Sequence, residues 1–148
     1  PKRKLTPEQL AAVEERAEQW GKIVAKNAYG TSGPGLDVDF DEMEQIAAAA
    51  TRGLARGTLE HLTTQQAQRL PDELPCPTCQ RPCPVARRSR DVVARGATVE
   101  RQEPVAHCPS VGGTFSPQRP RLQLDSHGYI PSVVATIAHA GAGLPPFE

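Results

Sequence analysis

Aromatic side chains are scarce in this chain: one tryptophan, two tyrosines and three phenylalanines stand among 148 residues, beside 15 prolines and 12 glycines. So little bulky apolar volume, interrupted so often, argues against one large core and leaves one ordinary domain or two small ones. Also missing is any run of about 18 apolar residues, so nothing in the sequence reads as a membrane span. The start, Pro1-Lys2-Arg3-Lys4, is basic, but charged and polar residues follow where a signal peptide needs an apolar stretch, and the chain is expected to stay in the cytoplasm. Only four cysteines occur, and in a reducing compartment they are thiols or metal ligands before they are a disulfide framework. No constellation of acids, nucleophile or cofactor motif stands in a catalytic context, which makes an independent enzyme the last of the function classes.

The formal charge sums to zero, 17 basic against 17 acidic side chains, but the signs are segregated. Residues 1–75 carry 9 basic and 12 acidic groups (net −3), 76–124 carry 8 and 3 (net +5), and 125–148 carry 0 and 2 (net −2). The positive charge of the central segment is entirely arginine.

Thr6-Pro7-Glu8-Gln9 has the form of a helix start, with Thr6 as cap, Pro7 at the first helical position and Gln9 completing a capping box. Leu10, Val13, Ala17, Trp20 and Val24 then recur three and four apart, which predicts an amphipathic helix from about Pro7 to Ala28, ended at Gly30-Thr31-Ser32-Gly33-Pro34-Gly35. A second helix is expected from Asp39, with acids in its first turn and Phe40, Met43, Ile46 or Ala47, Ala50, Leu54 and Leu62 on its stripe. Gly53 and Gly57 each weaken it by about 1 kcal/mol relative to alanine, so it needs a close partner, either the first helix or a second copy of the chain. A further short turn is expected over Gln65–Leu70. From Cys76 onward prolines exclude regular helix. Val92 to Val99 reads as strand, turn, strand, with Val105-Ala106-His107 as a third strand, Arg119–Arg121 as a connector, and Pro131–Ala140 as a last helix.

Cys76-Pro77-Thr78-Cys79 and His107-Cys108-Pro109-Ser110-Val111-Gly112 look like the two turns of a zinc ribbon, in which paired thiolates converge tetrahedrally on one ion. Cys76, Cys79 and Cys108 are three of the four ligands; Val111 stands where the fourth thiolate belongs. Cys83, His107 or a water molecule are the candidates to complete the set, and the plainer alternative is a second turn that has lost its ligand and binds metal weakly or not at all. A thioredoxin-like redox site is disfavoured because Pro82 and Pro84 follow too closely for the helix it requires. Arg81, Arg87, Arg88, Arg90, Arg95 and Arg101 on such a frame would present guanidinium groups to phosphate, against the plainer reading of a solvated charged face. His61, His127 and His139 are isolated and receive no role.

The order Leu74-Pro75-Cys76-Pro77-Thr78-Cys79, Gly96-Ala97-Thr98-Val99-Glu100-Arg101, His107-Cys108-Pro109-Ser110, Thr114-Phe115-Ser116-Pro117 and Leu144-Pro145-Pro146-Phe147-Glu148 resembles the N-terminal part of Kra-type insertion-sequence transposases. The resemblance covers about residues 40–148. It implies a helical lead-in, a zinc ribbon and a helical segment ahead of an RNase H-like catalytic domain, with Cys76, Cys79 and Cys108 as zinc ligands. It further implies a fragment that ends before the catalytic domain and binds DNA without cutting it. The expected fold is therefore α+β: a helical hairpin or helix pair over 1–73, a zinc-ribbon-like antiparallel β module over 74–122, and a short helical segment over 123–148. DNA and a second copy of the chain are the expected partners, zinc the expected cofactor. The alternative function is a protein-interaction helical domain whose ribbon is degenerate and metal-free.

Overall fold

The computed structural model describes residues 3–124, and the expected helix at Pro131–Ala140 lies outside the described residues. The fold is α+β. Helix α1 spans Pro7–Tyr29 and α2 spans Phe40–Ala67; strands β1 (Glu73–Pro75), β2 (Pro82–Val93), β3 (Thr98–His107) and β4 (Thr114–Phe115) follow, then a helical turn α3 (Arg119–Leu122). The strands form one antiparallel sheet in the order β1-β2-β3-β4. Two compact units divide at Gly53, inside α2. The second unit takes in the C-terminal half of α2 together with the sheet.

In the first unit the helix signals act as the sequence dictates. Thr6 accepts from the Gln9 amide at 3.2 Å and the Gln9 side chain accepts from the Thr6 amide at 2.9 Å, closing the capping box. Gly30 ends α1 at φ 74°, a left-handed value that suits glycine, and its N–H reaches the Lys26 carbonyl at 2.7 Å. At α2 the Asp39 carboxylate accepts from the Glu42 amide at 2.9 Å. No residue of α1 is buried: Leu10, Val13 and Trp20 are exposed, and Ala17 and Val24 half-buried.

Three local expectations change. Of the turn expected over Gln65–Leu70, only Gln68–Leu70 is a turn, because α2 runs on to Ala67 through Gly53 and Gly57 without a break. Val105-Ala106-His107 is not a separate strand but the end of the ten-residue β3. The Arg119–Arg121 connector is helical.

The second unit is organised by the β2–β3 hairpin, closed by the Ala94 N–H bonding the Ala97 carbonyl at 3.0 Å. Its register pairs Val85 with Ala106, Arg88 with Glu103, Arg90 with Arg101 and Val92 with Val99. Side chains alternate across a strand, so Val92, Val99, Arg101, Glu103 and Val105 share one face while Cys83, Val85, Pro104 and Ala106 share the other. Both sets are buried or half-buried. The ribbon therefore buries one face near its tip and the opposite face near the cysteines, and β3 is buried on both sides from Glu103 to Ala106. At the tip the approach to α2 is close: a β-carbon on Gly96 would lie 3.0 Å from that of Ala55. An apolar cleft of about 410 Å³ lies on this side, lined by Leu59, Val92, Val99, Leu122 and Leu124 among others.

A buried polar network fastens this face to α2. Arg90 and Arg101 sit directly opposite one another, a like-charge pairing that costs stability unless compensated. Glu103 compensates it. Its carboxylate accepts from Arg101 at 3.0 Å, from Ser116 at 3.0 Å and from Arg119 in bidentate fashion at 2.9 and 3.0 Å, and it lies 3.6 Å from Arg90. Gln118 accepts from Arg101 at 2.8 Å and donates to the Thr63 carbonyl at 3.1 Å and the Gln66 side chain at 2.9 Å, linking the network to the helix. Arg101, Glu103 and Gln118 are 3, 2 and 1 % exposed.

Burial pushes the Glu103 carboxyl up, but Arg119, Ser116 and Arg101 more than offset it and hold it below the usual carboxylate range. A carboxylate with a depressed folded-state pKa contributes stability that is complete above its unfolded value near 4.5 and is lost as the pH falls through the folded value. Replacing Glu103 with Ala strands the Arg101 guanidinium without its counter-charge, and by the magnitude of broken buried pairs is expected to cost about 3–5 kcal/mol. Urea unfolding at neutral pH and again below pH 4 measures it, and the gap between wild type and variant should narrow at the acid end.

Candidate metal centre

Two turns of the same construction bring the thiols together. In the first, the Cys76 N–H bonds the Arg81 carbonyl at 2.9 Å and the Gln80 N–H bonds the Cys76 carbonyl at 3.0 Å, with Gln80 in the left-handed region at φ 63°. In the second, the Cys108 N–H bonds the Gly113 carbonyl at 2.9 Å and the Gly112 N–H bonds the Cys108 carbonyl at 2.8 Å, with Gly112 at φ 74°. The correspondence runs residue by residue: Cys76 with Cys108, Pro77 with Pro109, Thr78 with Ser110, Cys79 with Val111, Gln80 with Gly112. Arg81 ties the turns together by donating to the Ser110 hydroxyl at 2.9 Å.

The Sγ atoms of Cys76, Cys79 and Cys108 all lie within 4.8 Å of one another, and those of Cys79 and Cys108 are 3.5 Å apart. A tetrahedral thiolate site with metal–sulfur bonds of about 2.3 Å has sulfur–sulfur edges of roughly 3.8 Å, so a small adjustment of the thiols, with Cys79 and Cys108 moving slightly apart, seats an ion. Cys76 and Cys108 are buried and Cys79 is half-buried. With Cys83 and Ala106, Cys76 and Cys108 form the core of this end of the sheet, packed by Cys79, Val85 and Phe115.

Backbone amides prepare the sulfurs. The Thr78 N–H points at the Cys76 Sγ at 3.4 Å. The Val111 amide, then the Cys79 and Cys76 thiols and the Ser110 amide, outweigh burial and bring Cys108 down to about 7. At Cys79 the Arg81 amide pulls the other way but is outweighed by the Cys108 thiol and by burial, and the net shift is upward. Burial, followed by the neighbouring Cys108, pushes Cys83 up to about 11. Such a cluster can hold a soft or borderline metal ion, since its thiols lose protons readily once a cation shares the charge.

The two side-chain candidates for the fourth ligand are differently engaged. Cys83, on β2, has no solvent exposure and directs its thiol to the Arg81 carbonyl at 3.4 Å. His107 is exposed, with Nδ1 3.4 Å from the Thr114 hydroxyl. Neither belongs to the converging set among the described residues.

Of the arginines proposed for phosphate, Arg81, Arg87, Arg88 and Arg95 are exposed. Arg90 is half-buried beside Glu103. Arg101 is a correction: it is 3 % exposed and committed to Glu103 and Gln118, so it holds the fold together instead of facing solvent. The sequence pattern gives Glu103 and Gln118 no role, and Arg119 only that of a connector. The signal was there in the hairpin register, because counting outward from the turn at Ala94–Ala97 sets Arg90 against Arg101 and demands an acid nearby.

Serine at Cys76, Cys79 or Cys108 is expected to weaken binding of cadmium, a soft probe ion, by on the order of 100-fold, as loss of one of three thiolates implies. Cys83→Ser should leave that affinity within about threefold while lowering stability, because it sets a hydroxyl among buried apolar neighbours. Competition against a chromophoric chelator and thermal unfolding separate the two effects.

No protein-family model, no curated protein and no solved structure matches this chain.

Proposed function

We propose that this chain is a nucleic-acid-binding module built on a zinc-holding ribbon, serving as the DNA-gripping part of an insertion-sequence transposase and not as an enzyme in its own right. The observation that carries the reading is the exposure of Arg81, Arg87, Arg88 and Arg95 on and beside a frame that brings three thiols together. Zinc is the ion of choice for such a frame, because it is borderline-soft, imposes no geometry of its own and takes cysteine thiolates in structural sites. Arg87 and Arg88 are adjacent on β2 and so lie on opposite faces. Both are exposed, so guanidinium groups stand on both faces of β2 and suit more than one phosphate. The resemblance of its order of short motifs to the N-terminal part of Kra-type transposases favours the same reading.

The salt dependence of binding tests it. Alanine at Arg87, Arg88 and Arg95 together should lower affinity for duplex DNA and flatten the plot of log affinity against log salt by about 0.9 for each phosphate no longer neutralised, about 2.7 in all. Fluorescence anisotropy across a salt series gives the slope, and an unchanged slope and affinity would overturn the assignment.

A second reading concerns the helical part. Leu10, Val13 and Trp20 stand 54, 58 and 59 % exposed on one stripe of α1, which suits self-association with a second copy of the chain. Sedimentation equilibrium of the wild type against Trp20→Ala checks this: the variant should shift toward monomer. Identical, monomeric behaviour of both proteins rules it out.

A further inference from the structure

We propose that the metal held by Cys76, Cys79 and Cys108 has a fourth coordination position open to solvent at Val111, and that this position accepts the thiolate of a small exogenous thiol. The inference rests on metal binding by the three cysteines and specifies what that site does beyond staying folded.

The residue-by-residue match of the two turns locates the position. Cys79 and Val111 occupy equivalent places, each flanked by a left-handed residue and the same pair of backbone hydrogen bonds. A donor at 111 would complete the tetrahedron; valine offers none. The backbone of the second turn has kept the form that presents a ligand there, so the missing donor has not been replaced by a collapse of the loop. Val111 is 50 % exposed, whereas Cys76 and Cys108 are 3 and 1 % exposed, so the fourth corner faces solvent.

Among the described residues, the side chains that could serve are otherwise engaged. The Cys83 thiol is enclosed in the core and bonded to the Arg81 carbonyl, and His107 turns toward Thr114. Zinc with three thiolates carries a net charge of −1 and retains the capacity for one more ligand. Arg81, held against Ser110 next door to Val111, places a guanidinium beside this corner, which favours an anionic ligand over water. A thiolate matches both that charge and the softness of the other three donors. Binding is simple ligation: the thiol gives up its proton to solvent, a metal–sulfur bond forms, and a bound water leaves.

Cobalt(II) reports both the number of thiolates and the geometry. The full chain, reduced with a phosphine in place of a thiol, is loaded with cobalt(II) under anaerobic conditions and then titrated with 2-mercaptoethanol. A sulfur-to-cobalt charge-transfer band before titration establishes metal binding by the cysteines. Its absence removes that reading and this proposal with it. On titration the band should grow by about one third, as three thiolates become four, while the visible bands move to those of a four-thiolate tetrahedron. Val111→Cys should show the four-thiolate spectrum from the start and not respond to added thiol. Cys83→Ala should behave as wild type. A wild-type spectrum that is already four-thiolate and drops to three in Cys83→Ala assigns the corner to Cys83 and overturns the proposal. So does a three-thiolate spectrum that ignores the added thiol, which leaves metal binding intact and only the open corner disproved.

Discussion

One antiparallel ribbon has to supply two cores that lie on opposite sides of it. A strand alternates its side chains strictly, so a ribbon with a single buried face leaves the other to water. The β2–β3 hairpin meets the demand by changing which face is buried along its length. Near the tip Val92, Val99 and the Glu103 network face α2; near the base Cys83, Val85 and Ala106 face the cysteine turns. The changeover occupies Glu103-Pro104-Val105-Ala106, all buried. Polar side chains at this crossing are tolerable only because one carboxylate gathers the guanidinium groups around it.

The thiol cluster depends on the same strand. Cys108 follows directly on β3, and Cys83 lies at the start of β2, so the hairpin register fixes how the second turn meets the first. The first turn sits between β1 and β2 and is held by the pairing of Leu74 with Cys83. Convergence of the three sulfurs is thus a product of strand pairing and turn geometry before any ion is bound.

Much of this was legible in the residues. The capping box at Thr6, the Asp39 cap, the Gly30 stop and the Ala94–Ala97 turn are local devices, decided by neighbours in sequence, and each appears where the sequence puts it. The convergence of Cys76, Cys79 and Cys108 was legible for a related reason: Cys-Pro-Xaa-Xaa turns are local, and their repetition marks the pair. What stayed hidden depends on residues distant in sequence. Arginine in a basic run reads as a surface residue, and only the pairing of Arg101 with Arg90, Glu103 and Gln118 reveals that it is buried. The continuation of α2 past Gly53 and Gly57 was legible in a stripe that runs on through Leu54 and Leu62, but the tie of its C-terminal half to Gln118, fifty-odd positions further along the chain, was not.

The double burial of β3 from Glu103 to Ala106 has a mechanical meaning. The cysteine core and the helix-facing core are separated there by the thickness of a single backbone, with no loop or hinge between them to absorb motion. Close-packed interiors transmit displacement instead of damping it. A shift of the strand that opens one core must strain the other, and whatever tightens one side restrains the second. The ribbon behaves as a shared wall between two rooms, and neither can be remodelled without moving the wall.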